Sequence, residues 1–256
     1  MRSFEILSGV LWTVCSGMVI YGSMMWLLYL LDRKKPNGKK TADTKEGKKK
    51  LHSSLALGNA IVITVICEME EKLGVLAGGN SFWPISVERI ILSLLAGGLL
   101  AAACMDAEHC YVYNYVWWWS LLWTVSLLMV SFVGQNADTG QWGITDRIGI
   151  RQAAAVALFV LLQQYLFARM YGRADSHAFS VCALAMCRWR GEMLWFLIHM
   201  LLAVSLLAVV QLSQGNVTRR GRLRIPKPFI PYIITTFWAE ILWMLCLQGG
   251  MTHIYT

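Results

Sequence analysis

The sequence predicts an all-α fold, a polytopic membrane helix bundle of about eight transmembrane segments. Of its 256 residues 57% are hydrophobic and only 15% charged, with a mean hydropathy of +0.51. That is more apolar surface than a soluble core of this length can hide. Several apolar runs approach the roughly 20 residues needed to cross about 30 Å of hydrocarbon. The basic residues gather beside those runs, where positive charge sets membrane orientation and meets anionic lipid. The lipid bilayer is therefore the first expected partner, and the formal charge of +8 needs no nucleic acid to explain it.

The first run, residues 6–31, is too long for a cleaved signal sequence and has no clear small-residue cleavage site, so it reads as a retained helix. Residues 33–50 carry nine Lys or Arg against Asp43 and Glu46, with Pro36, Gly38 and Gly47 interrupting any periodicity. They read as a flexible cytoplasmic loop. A shorter run, 55–67, leads into Glu68, Glu70 and Glu71 and then a glycine-rich patch ending Phe82-Trp83-Pro84, suited to the outer interface. Run 90–104 returns inward, with Gly97 and Gly98 allowing close helix packing. Run 115–133 goes out behind Trp117, Trp118 and Trp119, placed at headgroup depth. After a polar outer stretch, 134–149, run 150–170 comes back to Arg169 and Arg173.

Run 178–187 is short, either a thin crossing or a re-entrant turn, and exits through Arg188-Trp189-Arg190. If it crosses, run 193–212 returns to the cytoplasm, where Arg219, Arg220, Arg222, Arg224 and Lys227 obey the positive-inside rule. That choice gives eight crossings. The last helix, 229–247, is entered through Pro226, Pro228 and Pro231. The expected organisation is an N-terminal transmembrane region (1–87, with the basic loop 33–51), a membrane core (88–248) and a short tail (249–256).

Two acids lie at the ends of hydrophobic segments, on the same, cytoplasmic side. Asp106 follows run 90–104 in Met105-Asp106-Ala107-Glu108-His109-Cys110, and Asp175 follows run 150–170 in Tyr171-Gly172-Arg173-Ala174-Asp175-Ser176-His177. Charge at the mouth of a membrane helix is expensive unless solvated, paired or used, so both are functional candidates. Asp138 and Asp146, in the opposite loop, are internal controls. Glu108-His109-Cys110 does not read as a metal site, because adjacent residues rarely converge on one ion. Seven cysteines never form C-x-x-C, which argues against a zinc knuckle or redox pair. Glu240 is a true intramembrane acid, either a proton relay or a helix-pairing group facing the bundle, the favoured partner being His199 of the preceding helix. Gln163 and Gln164 read as interhelical hydrogen-bonding groups.

These motifs resemble those of the type IV prepilin peptidases, membrane aspartic peptidases of the G-x-G-D type. The family's first aspartate stands in D-x(5)-I-P-N or -D, and here Asp106 is followed at that spacing by Val112-Tyr113-Asn114. Its second stands in G-x-G-D-x-K, a frame occupied here by Gly172-Arg173-Ala174-Asp175-Ser176-His177. A late R-x-P-F-x-P-Y segment is similar to Arg224-Ile225-Pro226-Lys227-Pro228-Phe229-Ile230-Pro231-Tyr232. The departures are Val112 and Tyr113 for Ile-Pro, Ala174 for the second glycine and His177 for the lysine.

The resemblance covers roughly residues 88–248. It implies an aspartic endopeptidase of a bacterial inner membrane, with Asp106 and Asp175 catalytic and Asn114, Gly172, Ala174 and His177 in supporting positions. It further implies a pilin-like precursor as substrate, losing a short basic leader at the cytoplasmic face. Glu108 either pairs with that leader or is a solvated loop acid. Without the paired C-x-x-C module of bifunctional relatives, the expected activity is peptidase without methyltransferase, and no cofactor or metal is expected. The competing readings are a catalytically degenerate homologue and a small proton-coupled transporter or secretion-system scaffold.

Overall fold

A computed structural model of the chain describes residues 2–34, 43–72, 85–139, 150–189, 192–213 and 228–252. Regular structure among them is entirely helical: α1 (Arg2–Lys34), α2 (Asp43–Lys72), α3 (Ile85–His109), α4 (Asn114–Thr139), α5 (Ile150–Tyr165), α6 (Arg173–Met186), α7 (Met193–Ser213) and α8 (Ile230–Thr252), with one 3-10 turn at Phe167–Arg169. The protein is an all-α, multi-pass membrane protein.

Among the described residues six helices are long and apolar enough to cross a bilayer: Gly9–Leu30, His52–Glu71, Val87–His109, Gln152–Arg169, Met193–Ser213 and Ile230–Leu247. This corrects the expected count of about eight. α6 has 14 residues, about 21 Å at 1.5 Å per residue, short of the roughly 30 Å hydrocarbon layer. The short run after His177 is therefore no crossing of its own. α4 is 26 residues long, but its side chains are described only through residue 130, and it is not among the six. The expected flexible loop over 33–50 is also shorter than thought: α1 runs to Lys34 and α2 begins at Asp43, so lysines 45 and 48–50 are helical. Likewise α4 extends to Thr139, taking in the start of the expected outer loop. Phe82-Trp83-Pro84, Asp146 and the basic stretch 219–227 lie outside the described residues.

The chain divides into two compact units, Met1–Ala101 with Trp118–Thr139, and Ala102–Trp117 with Gly140–Thr256. The division passes through α3 and α4 and does not follow the sequence boundary at 87/88. In the first unit α1 and α2 pair along their length, with Thr13 Oγ1 3.1 Å from Thr64 Oγ1. Gly97 and Gly98 of α3 make the close approaches expected of them. A Cβ on Gly97 would fall 1.8 Å from Ser23 Oγ and 3.0 Å from the Ile20 carbonyl of α1, and one on Gly98 would fall 2.7 Å from Ser120 Oγ of α4. Trp119 Nε1 donates to the Leu94 carbonyl at 3.1 Å. Arg89, buried at this unit's end, lies 3.7 Å from Glu71 and over the Trp12 ring.

In the second unit α6 is the central element. Nine of its residues are buried (Ser176, Ala178, Phe179, Ser180, Val181, Cys182, Ala183, Ala185 and Met186), so it is enclosed on most of its circumference by α5, α8 and the 3-10 turn. The small side chains permit this closeness. Its hydroxyls are satisfied locally: Ser180 donates to the Ser176 carbonyl at 2.8 Å and accepts from Gln164 Nε2 at 3.0 Å. α7 and α8 pack together through Trp195 on Trp243 and through His199 Nδ1, 3.3 Å from Glu240 Oε2. The expected His199–Glu240 pairing is thus present.

Candidate active site

Asp106 and Asp175, 69 positions apart in the chain, both belong to the second unit. Asp106 lies in the last turn of α3, buried at 6% exposure, and not beyond the helix end as its sequence context suggests. The helix closes behind it: Cys110 N–H donates to the Asp106 carbonyl at 2.8 Å and Cys110 takes a left-handed φ of 49°. The Asp106 carboxylate is held from across the unit, Oδ2 accepting the Ile230 N–H at 3.0 Å. Ile230 is the first residue of α8, so the donor is one of the orphan amides of a helix N-terminus, where anionic groups are favoured.

Asp175 sits in the first turn of α6, half-buried. The turn that delivers it depends on Gly172, whose φ of 122° and ψ of 158° lie in a region essentially restricted to glycine. The Asp175 side chain folds back over that glycine, Oδ2 lying 3.6 Å from where a Cβ would stand. Burial, and then the charge of Asp106, push the Asp175 carboxyl up to about 7. The charge of Asp106 is thus felt at Asp175, and a like charge nearby disfavours ionisation.

The neighbouring motif positions divide. Ala174 lies within α6 with no positive φ, so the family's second glycine is not needed here for conformation. His177 packs against Trp117, ring centroids 5.9 Å apart. Burial, then the charge of Arg173, lower its pKa, so near neutral pH it does not supply the charge of the family's lysine. Trp117, expected at headgroup depth, is buried, whereas Trp118 is 70% exposed. Asn114 is exposed at the start of α4. Glu108 lies 3.8 Å from His109, both partly exposed.

Three contributors escaped the sequence reading. One is the α8 N-terminus: Phe229 was singled out only as a motif letter, and its position just before the first helical amide is what matters. The others are Tyr171 and Ser176, which flank Asp175. The Tyr171 hydroxyl donates to Gln163 Oε1, and Ser176 Oγ donates to the Gln163 carbonyl. Gln163 is fully buried on α5. An aromatic cluster backs the site, with Tyr171 against Phe179 (5.7 Å) and Phe229 (6.1 Å), and Phe179 against Phe229 (5.8 Å). Phe179 is one turn after Asp175 and Phe229 adjoins the amide on Asp106, so the cluster ties the supports of both acids to each other.

Chemically, this is a pair of carboxyls in a partly desolvated site, one with a backbone donor and one inclined to keep its proton. Among the described residues no group of three or more His, Cys, Asp or Glu is arranged to hold a metal ion. Compared with known families, curated proteins and solved structures, the chain matches none.

Proposed function

We propose that the protein is a membrane-embedded aspartic endopeptidase that removes the basic leader from pilin-like precursors at the cytoplasmic face of a bacterial inner membrane. The observation that carries the reading is the placement of Asp106 and Asp175 in one unit, each within a stretch that resembles a prepilin-peptidase motif, with the charge of one acting on the other. Peptide hydrolysis by a dyad needs one ionised carboxylate to take a proton from water and one protonated carboxyl to donate to the scissile carbonyl. The two titrate as a pair sharing one proton, with the Asp175 carboxyl held up to about 7 and the Ile230 amide on Asp106 Oδ2, and either order of base and acid gives the same net hydrolysis. Activity therefore falls as pH rises through about 7, because the acid is lost. Gly172 sets the approach of Asp175, and Asn114, Ala174 and His177 are supporting positions. Glu108 receives basic residues of the leader.

A second reading, a proton-coupled carrier, draws on the buried His199–Glu240 pair between α7 and α8, at 1% and 0% side-chain exposure. The test is co-expression with a tagged pilin-like precursor encoded near the gene. Cleavage by the wild type and by Asp138→Ala, lost in Asp106→Ala and Asp175→Ala, is the expected result. No cleavage of any neighbouring precursor by the wild type would refute the peptidase and favour a degenerate homologue or the carrier.

A further inference from the structure

The turn that carries Asp175 is tied to α5 at both of its ends, each time to the same residue. Gln163, fully buried near the end of α5, accepts the Tyr171 hydroxyl on its side-chain Oε1 and the Ser176 hydroxyl on its backbone carbonyl. Tyr171 stands just before Gly172, over which the Asp175 carboxyl rests with Oδ2 3.6 Å from the place of a Cβ. Ser176 follows Asp175 directly and is itself fully buried. Backbone bonds close the same turn, the Tyr171 N–H donating to the Phe167 carbonyl and the Ser176 N–H to the Gly172 carbonyl, both at 3.2 Å. The remainder of α6 has its own link to α5, from Gln164 Nε2 to Ser180 Oγ at 3.0 Å. Gln163 therefore clamps one turn and not the whole helix. Its Nε2 lies 3.6 Å from Met200 Sδ of α7, a weak acceptor, so the bond to Tyr171 is the strong one its side chain makes.

We propose that Gln163 is a positioning residue, which fixes both ends of the turn 171–176 and so sets where the Asp175 carboxyl stands. The proposal deepens the peptidase reading and takes its functional meaning from it, since a dyad works only with its carboxyls held in place. Gly172 does not do this by itself: its φ of 122° permits the turn, and the two bonds to Gln163 hold it. A glutamine that merely stabilised the α5–α6 contact would behave differently. Removing one partner of a buried hydrogen bond leaves the other unsatisfied, and removing both relieves that penalty. Stability therefore recovers when both partners are replaced, whereas the lost tether does not return.

The experiment is amide hydrogen exchange on the full chain in lipid nanodiscs, for wild type, Gln163→Met, Tyr171→Phe and Gln163→Met/Tyr171→Phe, with thermal melts of the same samples. It needs no substrate, so it stands or falls separately from the cleavage test. Exchange at the Tyr171 and Ser176 amides is expected to rise about fivefold in each single variant, the size of one neutral hydrogen bond. In the double variant the rise is expected to be the same and not its square, while the melting temperature partly recovers. Amides beyond Ser180, behind the Gln164 link, are expected to keep the wild-type rate. The consequence for the acid is read by infrared titration of the protonated-carboxyl band that disappears in Asp175→Asn. The change that Asp106→Asn makes to that midpoint is expected to shrink by about half or more in Gln163→Met, because the action of one charge on another falls with separation. Arg169, Arg173 and His177 are present in every protein compared, so their charges cancel from that difference. The proposal would be overturned by unchanged exchange at the two amides, by faster exchange spread evenly along α6, by exchange that recovers with the melting temperature in the double variant, or by an undiminished Asp106 effect in Gln163→Met. A wild-type midpoint indifferent to Asp106→Asn would sink the peptidase dyad instead, and the exchange rates would still decide the clamp.

Discussion

At the scale of single residues, the site rests on two side chains whose sequence neighbourhoods look alike and whose environments differ. Asp106 is enclosed in the last turn of α3 with an amide on its carboxylate, and Asp175 is half-buried without one. Because the Asp175 carboxyl is raised from 3.8 to about 7, the folded state binds more protons than the unfolded chain between those values. Its contribution to stability is therefore fully present below about pH 4 and is lost as pH rises through about 7. Replacing Asp175 with Asn removes the penalty of charging it. In thermal melts in detergent, Asp175→Asn is expected to gain on the wild type at pH 8, on the order of a few degrees, and to show little gain at pH 4.5. Gly172 makes the complementary point: any Cβ at φ 122° is strained. Gly172→Ala is expected to destabilise by about 1–3 kcal/mol in denaturant unfolding and to displace Asp175, with cleavage falling along with stability.

At the scale of elements, α6 and α8 matter most, and they were unequally legible. The hydrophobic runs gave α3, α5, α7 and α8 directly, and Gly97 and Gly98 announced the close packing of α3. The nature of α6 was not legible. Its run of small residues and serines looks like a thin crossing when read by hydropathy. What hydropathy cannot register is that Ser176, Ser180, Gln163 and Gln164 satisfy one another across helices, which lets a 14-residue helix sit enclosed inside the unit. The donor on Asp106 was hidden for a related reason: it is a backbone amide, which every residue but proline carries, and only the start of α8 gives it meaning. The His199–Glu240 pair was legible because an acid in an apolar helix must find a partner. It clamps α7 on α8, whose first amide holds Asp106. Removing one partner strands the other in an apolar interior, at about 3 kcal/mol or more, whereas replacing both is expected to cost less than the sum of the two singles. A double-mutant cycle on His199→Leu and Glu240→Leu, read by denaturant unfolding, checks the sign of that coupling.

At the scale of the whole molecule, composition alone fixed the class, since no soluble packing accommodates this apolar content. It was less able to fix the number of crossings. Counting runs overestimates spans when one run is a short interior helix, and six spans are present among the described residues against about eight expected. The two-unit organisation was equally invisible in the sequence, because two of its boundaries cut within helices, after Ala101 in α3 and after Trp117 in the first turn of α4, where no linker or glycine-proline stretch marks them. Both aspartates nevertheless fall in the same unit. A peptidase dyad requires them to act as one titrating pair, and the most direct measurement is the protonation midpoint of Asp175 in the wild type and in Asp106→Asn. A wild-type midpoint near 7 that falls once the neighbouring charge is removed is the expected result. A midpoint that is the same in both proteins, or that already lies in the ordinary carboxylate range in the wild type, would contradict the dyad.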